Sequence, residues 1–243
     1  MKEKILSLIL RCEKPVNIIC TAFKKVHSRI KARYDKNPIR FAFVHMFILW
    51  PMLLFFIMQC MELKSVGKGI RFIFHSPLIF IANSLIVALT LSIALLTRRR
   101  LFLVSVLSAV WLAFGISNLV LLLNRVTPFT ANDLFLIESL FEVIQKYFNN
   151  FQIVLIGILV AFALAGLVVL FFKAPRIKRK MYYLNDLAAI AIFFVLAVGS
   201  VRGLVMLDIM EGQFAELSAA YRNNGFVYCF TNSLIDNASA TDK

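Results

Sequence analysis

The sequence predicts an all-α membrane protein: five transmembrane helices, an amphipathic helix ahead of them on the cytoplasmic side, and an interfacial helix on the outer side. Three observations predict it. Hydrophobic residues make up 60% of the 243 residues and charged ones only 16%, whereas a soluble domain is nearer half apolar and a quarter charged. Five apolar stretches, about 41–61, 77–97, 101–123, 151–172 and 184–207, each run some 20 residues, enough to cross a hydrocarbon layer of about 30 Å as a helix. Nineteen of the 27 Lys and Arg residues fall in segments that an alternating path puts on one side.

Residues 1–40 carry eleven of those bases against Glu3, Glu13 and Asp35. Ile5, Leu6, Ile9 and Leu10, then Ile18, Ile19, Phe23, Val26 and Ile30, recur at helical spacing among them. This is the pattern of a helix lying on a membrane surface. The first long apolar run begins only after residue 40, so the segment is not a signal peptide. Arg98–Arg100 join the second and third spans, and Lys173, Arg176, Lys178, Arg179 and Lys180 join the fourth and fifth. The loops 62–76 and 124–150 hold only Lys64, Lys68, Arg71, Arg125 and Lys146. The positive-inside rule then places the N-terminus in the cytoplasm of a multi-pass plasma-membrane protein and 208–243 outside, as an extracytoplasmic connecting tail. The formal charge of +14 follows the membrane edges, which points to anionic lipid rather than nucleic acid as partner.

After the third span, Pro128 forces a turn. Thr130 with Asp133 three residues on reads as a capping box, starting an interfacial helix over about 131–148. Glu138, Glu142, Gln145 and Asn149 share one face of it, with Ile137, Leu140, Phe141, Ile144 and Phe148 beside them. That polar face is too large to bury in lipid. Two readings stand for Arg125 and Asp133: a snorkelling arginine with a helix-capping aspartate, or a headgroup site in which a guanidinium grips a phosphodiester and a carboxylate orients it. Arg202, near the outer end of the fifth span, divides the same way between snorkelling and headgroup binding. Asn83, Asn118, His45 and the Trp50–Pro51 pair lie inside spans, where helix packing accounts for them.

His27, His45 and His75 are scattered, and no nucleophile elbow, zinc-protease helix or phosphate loop occurs. Cys12, Cys20, Cys60 and Cys229 show no metal or redox spacing. Cys60 and Cys229 share the outer side, so one disulfide or two free thiols remain open.

The stretch Arg125-Val126-Thr127-Pro128-Phe129 with Asp133-Leu134, preceded by Asn118, resembles the membrane domain of the lipoteichoic acid synthase family, phosphoglycerol transferases of the sulfatase-like superfamily. Glu62 just after the first span, the His75-Ser76-Pro77 lead-in to the second, and Ala220-Tyr221-Arg222-Asn223-Asn224-Gly225-Phe226-Val227-Tyr228-Cys229-Phe230 support it. The likeness covers roughly 40–235. It implies an anchor, able to hold phosphatidylglycerol, for an enzyme that moves glycerol phosphate onto an envelope polymer. It also implies an extracellular catalytic domain with a threonine nucleophile and manganese or magnesium. This chain ends at Lys243 without that domain, so no catalytic residue and no metal or other cofactor is expected in it. The resemblance leaves a fragment, a truncated product or a stand-alone module open. The rival reading is a non-enzymatic membrane scaffold or lipid-binding subunit. A small transporter is the third, and it lacks the internal repeats and broken helices of that class.

Overall fold

A computed structural model describes residues 43–125, 127–135, 150–174, 183–214 and 216–241. The predicted amphipathic segment 1–40, with Cys12 and Cys20, and most of the predicted interfacial helix 131–148 lie outside the described residues. The packing below is that of Phe47–Lys243.

Every described element is helical. In chain order they are α1 (His45–Glu62), α2 (Val66–His75), α3 (Pro77–Leu96), α4 (Arg100–Asn124), α5 (Ala131–Phe135), α6 (Asn150–Lys173), α7 (Tyr183–Met206), α8 (Leu217–Asn224) and α9 (Phe226–Thr241). Among the described residues α1, α3, α4 and α7 are long and apolar enough to cross a membrane. Helix α6 is as long, and its described stretch Val160–Lys173 is apolar. Helices suit such segments because each satisfies its own backbone where no water is available.

The helix ends follow local chemistry. Helix α1 opens with a π-turn, His45–Leu49, just before Pro51 withdraws a backbone donor. It closes in a Schellman turn: Ser65 N–H reaches the Cys60 carbonyl (3.1 Å) and Lys64 N–H the Met61 carbonyl (3.2 Å). Lys64 sits at the left-handed position (φ 52°) that glycine usually fills, at a cost of about 1 kcal/mol. Ser65 then caps α2. Thus the loop read over 62–76 contains a helix. Its Val66, Ile70 and Phe74 form an exposed apolar stripe, while Gly69 packs on the Cys60 thiol side.

Helix α3 is the hub. It is the most buried of the four long apolar helices and packs against α1, α2, α4, α7 and α9. Indole N–H groups tie neighbours across the bundle: Trp50 donates to the Ser108 hydroxyl (2.8 Å) and Trp111 to the Thr90 hydroxyl (2.9 Å). At one end of the bundle Arg100 pairs with Asp186 of α7 (2.8 Å), and the Arg99 guanidinium lies 3.9 Å from the centre of the Phe171 ring of α6.

The aromatic run in the tail departs from expectation. Tyr221, Phe226, Tyr228 and Phe230 read as residues for a membrane surface or for a further domain. They are instead buried within this chain. Helices α8 and α9 fold back onto α1, α3 and α5. Phe230 stacks between Phe129 (5.5 Å) and Phe226 (5.6 Å), with Phe114 tilted against it at 5.0 Å. Cys60 and Cys229 are both free thiols, and Cys229 is buried in this seat. Burial pushes the Cys229 thiol and the Tyr221 phenol above their ordinary pKa values, so both stay protonated.

Candidate functional site: a cationic cleft at the Glu62 end

Folding the tail back buries a helix break, and the break needs hydrogen-bond partners away from water. Between α8 and α9 the chain turns at Gly225 (φ 91°). Two polar side chains inside the spans meet the freed backbone. Asn83 donates to the Asn224 carbonyl (2.8 Å) and accepts from Tyr228 N–H (2.8 Å). Gln59 donates to the Arg222 carbonyl (3.4 Å) and accepts from Phe226 N–H (3.3 Å). A Cβ on residue 225 would lie only 2.8–3.0 Å from the Asn83 amide, so glycine is required twice over, by conformation and by space. Asn83 is thus a clamp on the tail and more than a packing residue.

A second buried chain of hydrogen bonds holds the segment after α4. Asn118 donates to the Glu62 carboxylate and accepts from Phe129 N–H (2.8 Å). The Phe129 carbonyl accepts from the Tyr221 hydroxyl (2.9 Å). Asn118 and Glu62 are only 1% and 4% exposed, so both polar groups depend on this pairing.

Arg125 ends α4 in extended conformation, and its side chain turns along its own loop. Its Nε donates to the Thr127 carbonyl (3.2 Å). Its Nη2 donates to Asp133 Oδ1 (2.7 Å) and, at longer range, to the Pro128 carbonyl (3.4 Å). Asp133 Oδ2 accepts from Thr130 N–H (2.8 Å) and the Thr130 hydroxyl (3.1 Å). The carboxylate therefore fills its capping role and holds the arginine at once. Much of the guanidinium is used within the loop, which leaves Nη1 for anything else.

Arg125 borders a cleft of about 620 Å³, within the usual size of a small-molecule site. Lys64, Lys68 and Arg222 also line it, as do Glu62 and Glu216. Lys64 donates to the Leu122 carbonyl (2.5 Å) and Arg222 Nε to the Ser218 carbonyl (3.1 Å). Neither they nor Lys68 form an ion pair with a described residue. Four cations line the cleft against two carboxylates, with Arg125 matched by Asp133, so its lining carries a net positive charge.

Of the residues singled out from sequence, Arg125, Asp133, Asn118, Thr127, Pro128, Phe129 and Glu62 come together here. Arg202 does not: it is exposed on α7 and outside the cleft lining. Sequence reasoning named Lys64 and Lys68 only as loop charges and Arg222 only within the tail motif, and passed over Gln59 altogether. A glutamine inside an apolar span was the available signal. Among the described residues no three His, Cys, Asp or Glu side chains converge as metal ligands. No family model, no curated protein and no solved structure matches this chain.

Proposed function

We propose that this chain is a five-span membrane module that holds an anionic phospholipid headgroup in the cleft of Lys64, Lys68, Arg125 and Arg222. The observation that carries this reading is the convergence of four cations, three of them without an ion pair among the described residues, on one cleft at the end of apolar helices. Charge at the end of a span meets lipid phosphate at the headgroup level. The resemblance of the Arg125–Leu134 stretch extends the proposal to a phosphoglycerol transferase-like envelope enzyme. On that reading phosphatidylglycerol is the lipid, and a catalytic domain with manganese or magnesium acts on it.

Retention of lipid tests the binding reading. Purified wild-type chain should keep phosphatidylglycerol through detergent exchange, as seen by native mass spectrometry. Arg125→Ala should lower its affinity about tenfold, the value of one charge-assisted hydrogen bond, with membrane insertion intact. Arg125→Lys should recover only part, because lysine lacks the planar fork that serves loop and ligand together. Equal retention in wild type and Arg125→Ala would return Arg125 to a purely local role.

The orientation belongs to the same proposal. Arg99, Arg100 and Lys173 share the cytoplasmic side, and the cleft faces outward. In intact cells a membrane-impermeant thiol reagent should reach single cysteines placed at Lys68, Gln145 or Asp236 and miss those at Arg99 or Lys178. Labelling at Arg99 in sealed cells would sink the five-span arrangement.

A second reading, a stand-alone lipid-binding subunit, is favoured by one observation. Helices α8 and α9 turn back into the bundle, so the chain's own tail completes the cleft wall. The two readings share the site and differ in whether a catalytic domain acts on what it holds.

A further inference from the structure

The cleft is assembled from three distant segments. Lys64 and Lys68 come from the α1–α2 junction, Arg125 from the end of α4, and Arg222 from α8. The first three stand on the spans or beside them. Arg222 reaches the cleft only because α8 and α9 are docked. Its own carbonyl is one of the two groups that Gln59 holds, and the neighbouring Tyr221 hydroxyl is bound to the Phe129 carbonyl.

Docking carries opposing terms. Phe226, Val227 and Phe230 are fully buried by it, which favours the docked state. Against this, the Asn224 side-chain nitrogen Nδ2 is buried with no hydrogen-bond partner among the described residues, a desolvation penalty charged to docking alone. The Gln59 contacts that seat the Arg222 turn, at 3.3 and 3.4 Å, are also long for hydrogen bonds, whereas the Asn83 contacts are 2.8 Å. Finally, docking brings a fourth cation beside three others. Glu216 accompanies it, with its carboxylate already accepting the Ser218 hydroxyl (2.7 Å). Glu62, which draws Arg222 and Lys64 electrostatically, offsets part of the repulsion among these cations, and a bound anion adds to that offset, favouring the arrival of Arg222 further.

We propose that occupancy of the cleft by a phosphate-bearing anion and docking of α8–α9 are thermodynamically linked through Arg222, so that ligand binding closes the tail onto the bundle. The proposal rests on the headgroup reading above and adds regulation to it. Linkage is reciprocal: if the anion stabilises the docked tail, the docked tail tightens the anion by the same factor. The shared ligand chemistry is a phosphate ester of net negative charge, supplied either by an anionic lipid headgroup or by a soluble phosphate; phosphatidylcholine, a zwitterion, lacks that net charge.

Cys229 is a native reporter, since it is wholly buried when the tail is docked. The full chain is reconstituted in nanodiscs of phosphatidylcholine alone, of phosphatidylcholine with phosphatidylglycerol, or of phosphatidylcholine with soluble glycerol phosphate added. N-ethylmaleimide addition at Cys229 is followed by peptide-resolved mass spectrometry, and hydrogen exchange of the 226–230 amides is followed in parallel. Anion should slow both roughly tenfold, within the usual range for coupled sites. Protection by phosphatidylglycerol alone identifies a lipid ligand; protection by glycerol phosphate as well identifies the phosphate ester itself. In Arg222→Gln the protection should vanish even when the lipid is saturating. In Lys68→Gln more lipid should be needed, but full protection should return at saturation. Native mass spectrometry of the same discs separates the two failures. If no anion is retained, the headgroup reading falls. If anion is retained while Cys229 alkylation and amide exchange do not change, or if Arg222→Gln is protected like wild type, the linkage is wrong and the headgroup reading stands.

Discussion

At one end of the bundle Arg100 spends its contacts on Asp186, and Arg99 lies over the Phe171 ring. At the other end Lys64, Lys68 and Arg222 face an open cleft with no ion pair among the described residues, and only Arg125 is matched, to Asp133. The first end belongs to the more basic side of the sequence, the second to the poorer one. Density of positive charge and availability of positive charge are thus different quantities. Density orients helices in a membrane. Availability, which depends on what each cation already holds, is what can recruit a ligand. Arg99 and Arg100 tie the start of α4 to α6 and α7, whereas Lys64, Lys68 and Arg222, without an ion pair among the described residues, surround space.

The strongest way to break this contrast is Gly225→Ala. The new Cβ meets Asn83 at 2.8 Å and the backbone stays at φ 91°. Strain and clash together should cost about 2–3 kcal/mol, concentrated in the docked tail. Thermal unfolding in detergent should shift down by several degrees, Cys229 should become readily alkylated, and phosphatidylglycerol retention should fall as Arg222 leaves the cleft. Unchanged Cys229 protection would show that the turn tolerates a side chain and that Asn83 is no clamp. A gentler change sharpens the contrast from the opposite end. Arg100→Gln removes the partner of a mostly buried carboxylate, the side chains being 26% and 16% exposed. Partial solvent screening holds the expected loss to about 1 kcal/mol. Thermal stability should drop slightly and lipid retention should not move. A loss of retention equal to that of Arg125→Ala would mean that both ends serve the ligand, and the distinction drawn here would fail.

The long apolar helices were legible because apolar runs of some 20 residues stand out in the sequence, and their ends match; four of the described helices are long and apolar enough to cross a membrane. The predicted 77–97, 101–123, 151–172 and 184–207 became Pro77–Leu96, Arg100–Asn124, Asn150–Lys173 and Tyr183–Met206. Helix α2 was missed because ten residues fall below the length that signals a span, although Val66, Ile70 and Phe74 already recur at helical spacing. Around Arg125, the motif Arg-Val-Thr-Pro-Phe with Asp133 was legible as a unit. The Thr130–Asp133 spacing reads as a capping box and Asp133 as a carboxylate that orients Arg125; that a single carboxylate does both at once was not legible in residue order. The cleft was least legible. Lys68 and Arg222 lie far apart in the chain, and only the return of the tail brings them together. That return is driven by aromatic burial, and a run such as Phe226–Phe230 suits a membrane surface as well as a protein interior. The residues that decide between these, Gln59 and Asn83, lie in other helices.

The seat for Phe230 also sets an order of assembly. Its walls are Phe114 of α4, Phe129 beyond it and Phe226 of α9 itself, while Gln59 and Asn83 of α1 and α3 hold the backbone alongside. Apart from Phe226, the groups that form the seat lie on or beside α1, α3 and α4 and come together only when those helices have packed. The segment that fills the seat is synthesised after all of them, and the Gln59–Phe226 contact spans 167 residues of chain. Closing so long a loop is slow relative to the local contacts within each helix. Insertion of the tail therefore follows the packing of those helices, and a chain in which they are misplaced offers Phe230 no seat.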